Sequence, residues 1–404
     1  MLRKFACLLS AIIVVMCVFS SCGGKQQEGP VTLTIWHDKE DAVAEALQKE
    51  LDKLKPDIVV NLEKKNGLTE ALKMVGNDPS AAPDMYFFAH DKLGVYAEMG
   101  ILEPITSFVN EKLLEEFVPM TVKAATYKEK IYQLPIYFET LLFIYNQDLM
   151  KQDEVPATTE ELYSYMQKNN SDNRYGFVEQ HSTAYYSAGW IHGFGGEIIS
   201  NDGKPQLNSE KVIDALKYHL KFTKMMPGES EYATVNTLFR EGKAASTIGG
   251  PWLVSSVRDS GMKLALAPMP VVEETGLPLA PYSGVQGIHV LKVAADNPTK
   301  NAAIKKLLNQ LVSTDIGVSM AKASGCAPAY QACYEQDEVK NDDIVMMMYE
   351  MAQNAVPMPN IPEMDVMFNV TGNLLVDINM RGKEIQQAAN EAQASAEELI
   401  SAMK

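Results

Sequence analysis

Near the start of this chain a strand, a helix and a second strand follow one another within about thirty residues, the length of a single crossover unit. That order leaves few folds open. Val31-Thr-Leu-Thr-Ile-Trp36 is a run of strand-forming residues, Val43, Leu47, Leu51 and Leu54 recur at helical spacing as far as Pro56, and Ile58-Val-Val-Asn-Leu62 resumes as strand. Strands joined in this way lie parallel with the connecting helix on the face of the sheet, so the expected fold class is α/β. Asp84-Met-Tyr-Phe-Phe88 adds a strand after the turn-forming Asp78-Pro79 and Pro83. The same grammar continues less regularly. Leu141 to Tyr145 and the buried-type run Ala244 to Ile248, which ends at Gly249-Gly250-Pro251, are predicted strands, as is Gly287 to Leu291. Glu160 to Met166, the stripe Val212, Leu216, Leu220 and Phe222, the set Ile304, Leu307, Leu308 and Leu311, and the charged tail from Asp377 onward are predicted helical. A chain of 404 residues exceeds one ordinary core, so two lobes are expected.

The first residues speak to compartment. Arg3 and Lys4 precede an apolar run from Phe5 to Phe19 that is too short for an ordinary membrane span, and Ser20-Ser21-Cys22 closes it in the layout of an export signal. A small-residue pair ending in Cys, followed by Gly23-Gly24-Lys25, is similar to a lipoprotein signal, in which the thiol of Cys22 takes the lipid and becomes the mature N-terminus. Phe19, where that pattern usually has Leu, fits the plainer layout in which Cys22 merely follows an ordinary cleavage site. Residues 1–21 are expected to be the signal and 22–30 a polar tether. The exported body would lie in the periplasm or on the outer face of the membrane, anchored through Cys22. The net charge of −16 argues against nucleic acid and anionic lipid as partners. Cys7 and Cys17 would leave with the signal, so Cys326 and Cys333 remain. In an oxidising compartment they could close a small disulfide loop, or stay as free buried thiols. No His or further Cys sits near them at zinc spacing, and no metal is expected.

Four blocks of sequence point further. Asp84-Met-Tyr-Phe-Phe-Ala-His-Asp-Lys-Leu-Gly-Val-Tyr-Ala-Glu-Met-Gly-Ile-Leu102 comes first, then Tyr132-Gln-Leu-Pro-Ile-Tyr-Phe-Glu-Thr-Leu-Leu-Phe-Ile-Tyr-Asn-Gln-Asp-Leu149. Glu241-Gly-Lys-Ala-Ala-Ser-Thr-Ile-Gly-Gly-Pro-Trp252 and Pro357-Met-Pro-Asn-Ile-Pro-Glu-Met364 follow in the same order and roughly the same spacing as in the maltose/maltodextrin-binding members of extracellular solute-binding family 1, which the whole mature chain resembles. The resemblance implies two α/β lobes that close on a ligand by a hinge motion, the periplasmic-binding-protein fold. It divides the chain into 31–136 plus 284–330 for the N-terminal lobe and 137–283 plus 331–404 for the C-terminal lobe. It further implies a monomer without cofactor that serves the permease subunits of an ABC importer and catalyses nothing.

A sugar presents hydroxyls that donate and accept and ring faces that are apolar, so its site needs carboxylates, long cationic donors and flat aromatic platforms. By the resemblance, Asp38 with Lys39, Asp91 with Lys92, and Glu139 supply the polar groups, although the loop before Asp38 is shorter than in the family. Lys92 stands where the family has Arg and gives up the planar fork. Tyr185 and Trp252 match stacking residues, Phe88 and Phe368 stand where the family has Trp, and Met358 completes the set. The bland alternatives are solvated surface charges for the ionic residues and ordinary core packing for Phe88 and Phe368. His37 and His90 read as cleft-edge or structural residues, and Met346 to Met348 as packing on a helix. The implied ligand is maltose or maltodextrin. The changed platforms also suit another oligosaccharide or a sugar alcohol. A glycoside hydrolase using Asp38, Asp91 and Glu139 as its acid and base is the remote alternative.

Overall fold

The crossover unit sits on one side of a large mixed sheet. Val31–His37 and Ile58–Lys64 run parallel, with Val31 opposite Ile58 and His37 opposite Lys64. The helix Asp41–Leu51 between them buries Val43, Leu47 and Leu51 against the sheet. Met85–Ala89 pairs parallel on the other side of Val31–His37. The sheet then turns antiparallel: Tyr282–Leu291 follows, then Gln133–Thr140, then the short Ala327–Pro328. The computed structural model describes residues 29–258 and 261–403. The expected export signal, Cys22 and most of the tether lie outside the described residues.

A second, four-stranded sheet orders Leu264–Ala267, Leu142–Asn146, Ala244–Gly249 and Tyr175–Val178. Its core joins Phe143, Tyr145 and Phe177 to Trp190 and Phe222 on helices Ala184–Gly193 and Glu210–Thr223. The helices Met364–Asn379 and Ile385–Ser401 pack into that same core. The predicted charged tail is therefore the last turn of one amphipathic helix and all of another. A third cluster holds Phe138 and Val285 of the large sheet together with Leu142, Ile144 and Val178 of the small one. Apolar packing is thus continuous beneath the place where Gln133–Thr140 passes into Leu142–Asn146.

One expectation changes, and one open alternative is decided. The strand predicted at Gly287 begins at Tyr282, because Gly284 and Gly287 are needed for close approach and do not end the strand. The disulfide does not form: Cys326 and Cys333 are both free and buried. The cause is direction. Cys326 faces the core beneath the large sheet, where its thiol contacts the Ser324 carbonyl oxygen at 3.6 Å. Cys333 faces the third cluster, with its sulfur near the Thr314 carbonyl oxygen. The short strand Ala327–Pro328 intervenes, so proximity in sequence does not bring the sulfurs together.

Candidate sugar-binding site

The charged candidates collect at the ends of the central strands of the large sheet. Lys39 lies just beyond Val31–His37, and its ammonium donates to Asp38 at 2.7 Å and to the Gln286 side-chain oxygen at 2.7 Å. It also stands over the rings of Phe87 and Phe88, 5.3 Å from each centroid. The Gln286 amide nitrogen then donates to Oε1 of Glu139 at 3.1 Å. Lys39, Gln286 and Glu139, far apart in sequence, make one chain of hydrogen bonds. Glu139 can lie there because it faces Gly284 across the strand pair. A Cβ on Gly284 would sit 2.4 Å from its Oε1.

Asp91 and Lys92 occupy the short helix that ends Met85–Ala89. Lys92 contacts Asp91 at 3.5 Å and also donates to Asp365 in the first turn of Met364–Asn379. One ammonium therefore ties the large-sheet body to a helix of the small-sheet body. Phe368 lies one turn beyond Asp365, half-buried on the second core. His90 adds a backbone tie. Its Nδ1 accepts the Val285 N–H at 3.1 Å, so Nε2 carries the proton and donates to the Met358 carbonyl oxygen at 2.9 Å. The Asn360 side chain donates to the Ala124 and Thr126 carbonyl oxygens at 2.8 Å each, and its own carbonyl accepts the Gly94 N–H.

Among the aromatic candidates, Tyr185 lies close enough to Glu139 to feel its charge. Tyr185 stands edge-on to Tyr186, with ring centroids 5.8 Å apart. Trp252 and Gln180 both lie close to the Tyr186 hydroxyl. Trp252 is 39 % exposed, an unusual state for an indole in a protein with a full core, and so presents an open platform. Its ring folds back over Gly250, where a Cβ would come within 2.3 Å. Phe88 is half-buried under Lys39. Of the residues expected to form the site, Asp38 is the most open to solvent among the charged ones, its side chain 40 % exposed and held by Lys39. A separate groove of about 930 Å³ beside the edge strand Leu264–Ala267 shares no residue with this cluster.

Burial sets the protonation states. Glu139 is raised to about 7, chiefly by desolvation, against the opposing pull of Gln286 and Lys39. Tyr185 is pushed well above its ordinary value by burial and by Glu139, so its hydroxyl keeps its proton. Burial pulls Lys92 down, but Asp365 and Asp91 outweigh it and hold the ammonium above its usual value. Burial lowers His90, and protonating its ring would also remove the acceptor of the Val285 N–H. A histidine whose folded pKa is depressed contributes stability that is complete above 6.5 and is lost as pH falls below it. Burial depresses His192 to about 4 and His289 to about 3 in the same way. Glu139, raised by burial, works the other way between pH 5 and 7, but the depressed histidines outnumber it, so thermal unfolding should come at a midpoint lower by a few degrees at pH 5 than at pH 7. Scanning calorimetry at the two pH values checks it, and an unchanged midpoint would contradict the neutral buried histidines.

Residues 42–347 match the model of the bacterial extracellular solute-binding protein family. The chain belongs to that family. Among curated relatives of this solute-binding protein, a maltotriose-binding protein of Pyrococcus abyssi is 31 % identical over 345 residues, 83 % of this chain and 75 % of the relative. A galactooligosaccharide-binding protein of Bacillus subtilis is 27 % identical, covering 95 % of this chain and 94 % of its own. The crystal structure of a cyclo/maltodextrin-binding protein complexed with maltotetraose superposes with a TM-score of 0.84 at 27 % identity, over 94 % of this chain and all of that one. The two-lobed binding-protein fold is thereby established, and the relatives are binding proteins.

Within this solute-binding protein, sequence reading passed over Gln286, Asp365, Tyr186 and Gln180. One signal was present for Gln286: a polar side chain in an apolar strand, with Gly284 and Gly287 close on either side. Asp365 had no such signal, since its role comes from Lys92 far away in sequence.

Proposed function

We propose that this chain is an exported binding protein that captures an α-glucan oligosaccharide of the maltose and maltodextrin class and delivers it to the permease of an ABC importer. The observations that support the reading are the Lys39–Gln286–Glu139 chain of hydrogen bonds, the nearness of Asp91 and Tyr185 to Glu139, and the open face of Trp252. Charged and amide groups match hydroxyls, and aromatic faces match the apolar faces of the rings. Asp38, Lys39, Phe88, Asp91, Lys92 and Glu139 would contribute from the N-terminal lobe and its crossing. Tyr185, Trp252, Met358 and Phe368 would come from the other side. Division at 31–136 plus 284–330 against 137–283 plus 331–404 is consistent with the two sheets, and closure would follow the hinge habit of two-lobed binders. The anchor would be lipid on Cys22.

No covalent step is needed for capture and release, and the protein would leave its sugar intact. A galactooligosaccharide reading has its own support in the Bacillus relative and in Phe88 and Phe368, which offer less stacking area than Trp. Calorimetric titration of residues 22–404 with Cys22→Ser separates the readings. Micromolar or tighter binding of maltose and maltotriose, without products on chromatography, supports the glucan reading. Binding of galactooligosaccharides alone moves the ligand and keeps the site, whereas released glucose would revive hydrolysis. Trp252→Ala should weaken binding by roughly 1 to 3 kcal/mol through loss of a stacking face; unchanged affinity would remove that platform from the site.

A further inference from the structure

Gln286 lies on Tyr282–Leu291, a strand held on both sides: it pairs with Tyr137 on one flank and Ala89 on the other. The register slips between Gln286 and Gly287, a bulge of the kind that re-aims a side chain. The preceding residue is fixed as well, since the Val285 N–H is bound to His90. From this rigid mount the amide reaches two groups of opposite character. Lys39 can only donate, so the amide oxygen must face it, at 2.7 Å; the amide nitrogen must then face Glu139, at 3.1 Å. The orientation of the amide is thus decided from both ends.

A neutral amide in this place keeps Lys39 and Glu139 from closing into a direct ion pair. A salt bridge would occupy the ammonium and the carboxylate with each other. With Gln286 between them, Lys39 spends one N–H on Asp38 and one on the amide and retains a third, while Glu139 receives the amide on Oε1 and retains Oε2. Both ends keep capacity for a ligand's hydroxyls. We propose that Gln286 is a positioning residue that orients the Glu139 carboxylate and the Lys39 ammonium toward sugar hydroxyls and thereby sets the pH range over which the sugar binds. This rests on the site reading above, in which sugar hydroxyls donate to the ionised carboxylate.

The groups that face Glu139 are few. Lys39 and Asp38 come from the loop after Val31–His37, Asp91 from the end of Met85–Ala89, Tyr185 from the helix Ala184–Gly193, and Tyr137 and Cys326 from its own strand and the neighbouring edge. Tyr137, Tyr185 and Cys326 all have their pKa raised, first by burial, and stay neutral over the working range. The Gln286 amide is the group that donates a hydrogen bond to the carboxylate, and such a bond favours the ionised form.

The test is sugar affinity, measured by calorimetry from pH 5.5 to 9 on the mature protein with maltotriose, for the parent chain and for Gln286→Met, Gln286→Asn and Glu139→Gln. In the parent, affinity should rise through a midpoint near 7, to which burial pushes the Glu139 carboxyl up. Gln286→Met keeps the length but removes both hydrogen bonds. It should move that midpoint up by about one pH unit, a tenfold change in the ionisation equilibrium, and recover near-parental affinity at pH 9. Gln286→Asn, too short to span both partners, lets Lys39 close on Glu139 and should move the midpoint the other way, down. A loss of affinity equal at every pH, with the midpoint unmoved, would overturn the proposal and leave Gln286 a packing residue. Glu139→Gln guards the site reading itself: it should flatten the profile, and a parental profile in that variant would remove Glu139 from the site. If Glu139→Gln flattens the profile while both Gln286 variants leave the midpoint in place, the site stands and the role of Gln286 falls. Far-ultraviolet circular dichroism and the thermal midpoint of each variant confirm that folded proteins are being compared.

Discussion

Replacing His219 by alanine should cost the protein about 3 to 5 kcal/mol of stability, the scale of a large ring-sized cavity together with a buried carboxyl stripped of one donor. Glu179 follows the end of Tyr175–Val178 and is fully buried. Its Oε1 accepts from the Trp190 indole N–H at 2.9 Å and from His219 Nε2 at 2.5 Å. The imidazole also stacks on the indole, with centroids 4.6 Å apart and planes 18° from parallel. Trp190 in turn packs against Phe222 and Tyr218. Deleting the imidazole removes a hydrogen bond and an aromatic contact and opens a cavity, and it leaves a carboxyl with one remaining donor in a place water does not reach. Urea denaturation followed by tryptophan fluorescence measures the loss, and Glu179→Gln added to His219→Ala should recover part of it because the under-bonded buried carboxyl is gone. A loss below about 1 kcal/mol would show that Glu179 finds another partner. The pair matters beyond stability. Gln180 directly follows Glu179 and lies close to the Tyr186 hydroxyl, as Trp252 does, so the pair anchors the segment that leads to these aromatic residues.

What the sequence disclosed follows from where the physical cause of each feature lies. The crossover unit was legible because helical and strand spacing are local, and Val43, Leu47 and Leu51 report their buried face directly. Tyr282–Leu291 was only half legible. Its first residues carry two glycines and a glutamine, which locally spell a turn, while their true reasons are a carboxyl over Gly284 and the Leu134 carbonyl oxygen against Gly287, 2.4 Å from any added Cβ. The tail from Asp377 is helical as expected, and the start of the helix leading into it, Met364–Asn379, was not legible because its stripe Met364, Met367, Leu374 and Leu375 finds its partner only in the second core. Cys326 and Cys333 stayed open between two readings for a similar reason: sequence gives their separation and not which core each sulfur enters. His90 read as a structural or cleft-edge residue and is structural, a buried ring tying Val285 to Met358. In the candidate site, the residues that were named came from resemblance, block by block. Gln286 and Asp365 escaped because each is defined by a lysine in a different part of the chain, Lys39 and Lys92, and no local pattern encodes such a partner.

Gly284→Ala should weaken oligosaccharide binding by about 1.5 to 3 kcal/mol, the worth of a hydrogen bond to a charged group, while leaving the fold nearly as stable as before. The separation of the two effects comes from what the new methyl group would meet. At Gly284 the conflict is with Oε1 of Glu139 at 2.4 Å, the far end of a flexible side chain that can swing aside. Swinging aside is the harm, because the carboxylate then leaves the Gln286 amide and the position from which it would accept a sugar hydroxyl. At Gly287, three residues along the same strand, the conflict is with the backbone oxygen of Leu134, which cannot move without disturbing the sheet. Gly287→Ala is therefore the control: it should lower the unfolding midpoint, whereas Gly284→Ala should lower affinity with the midpoint within a few degrees of the parent. The two variants together ask whether the carboxylate of Glu139 binds the ligand or only fills the sheet edge. If Gly284→Ala binds maltotriose as tightly as the parent, the displaced carboxylate was never a ligand group, and recognition would rest on Asp91, Lys39 and the aromatic faces alone. A tenfold or greater loss, with a parental midpoint, places Glu139 among the groups that hold the sugar and explains why a strand at the centre of the large sheet carries a glycine at that position.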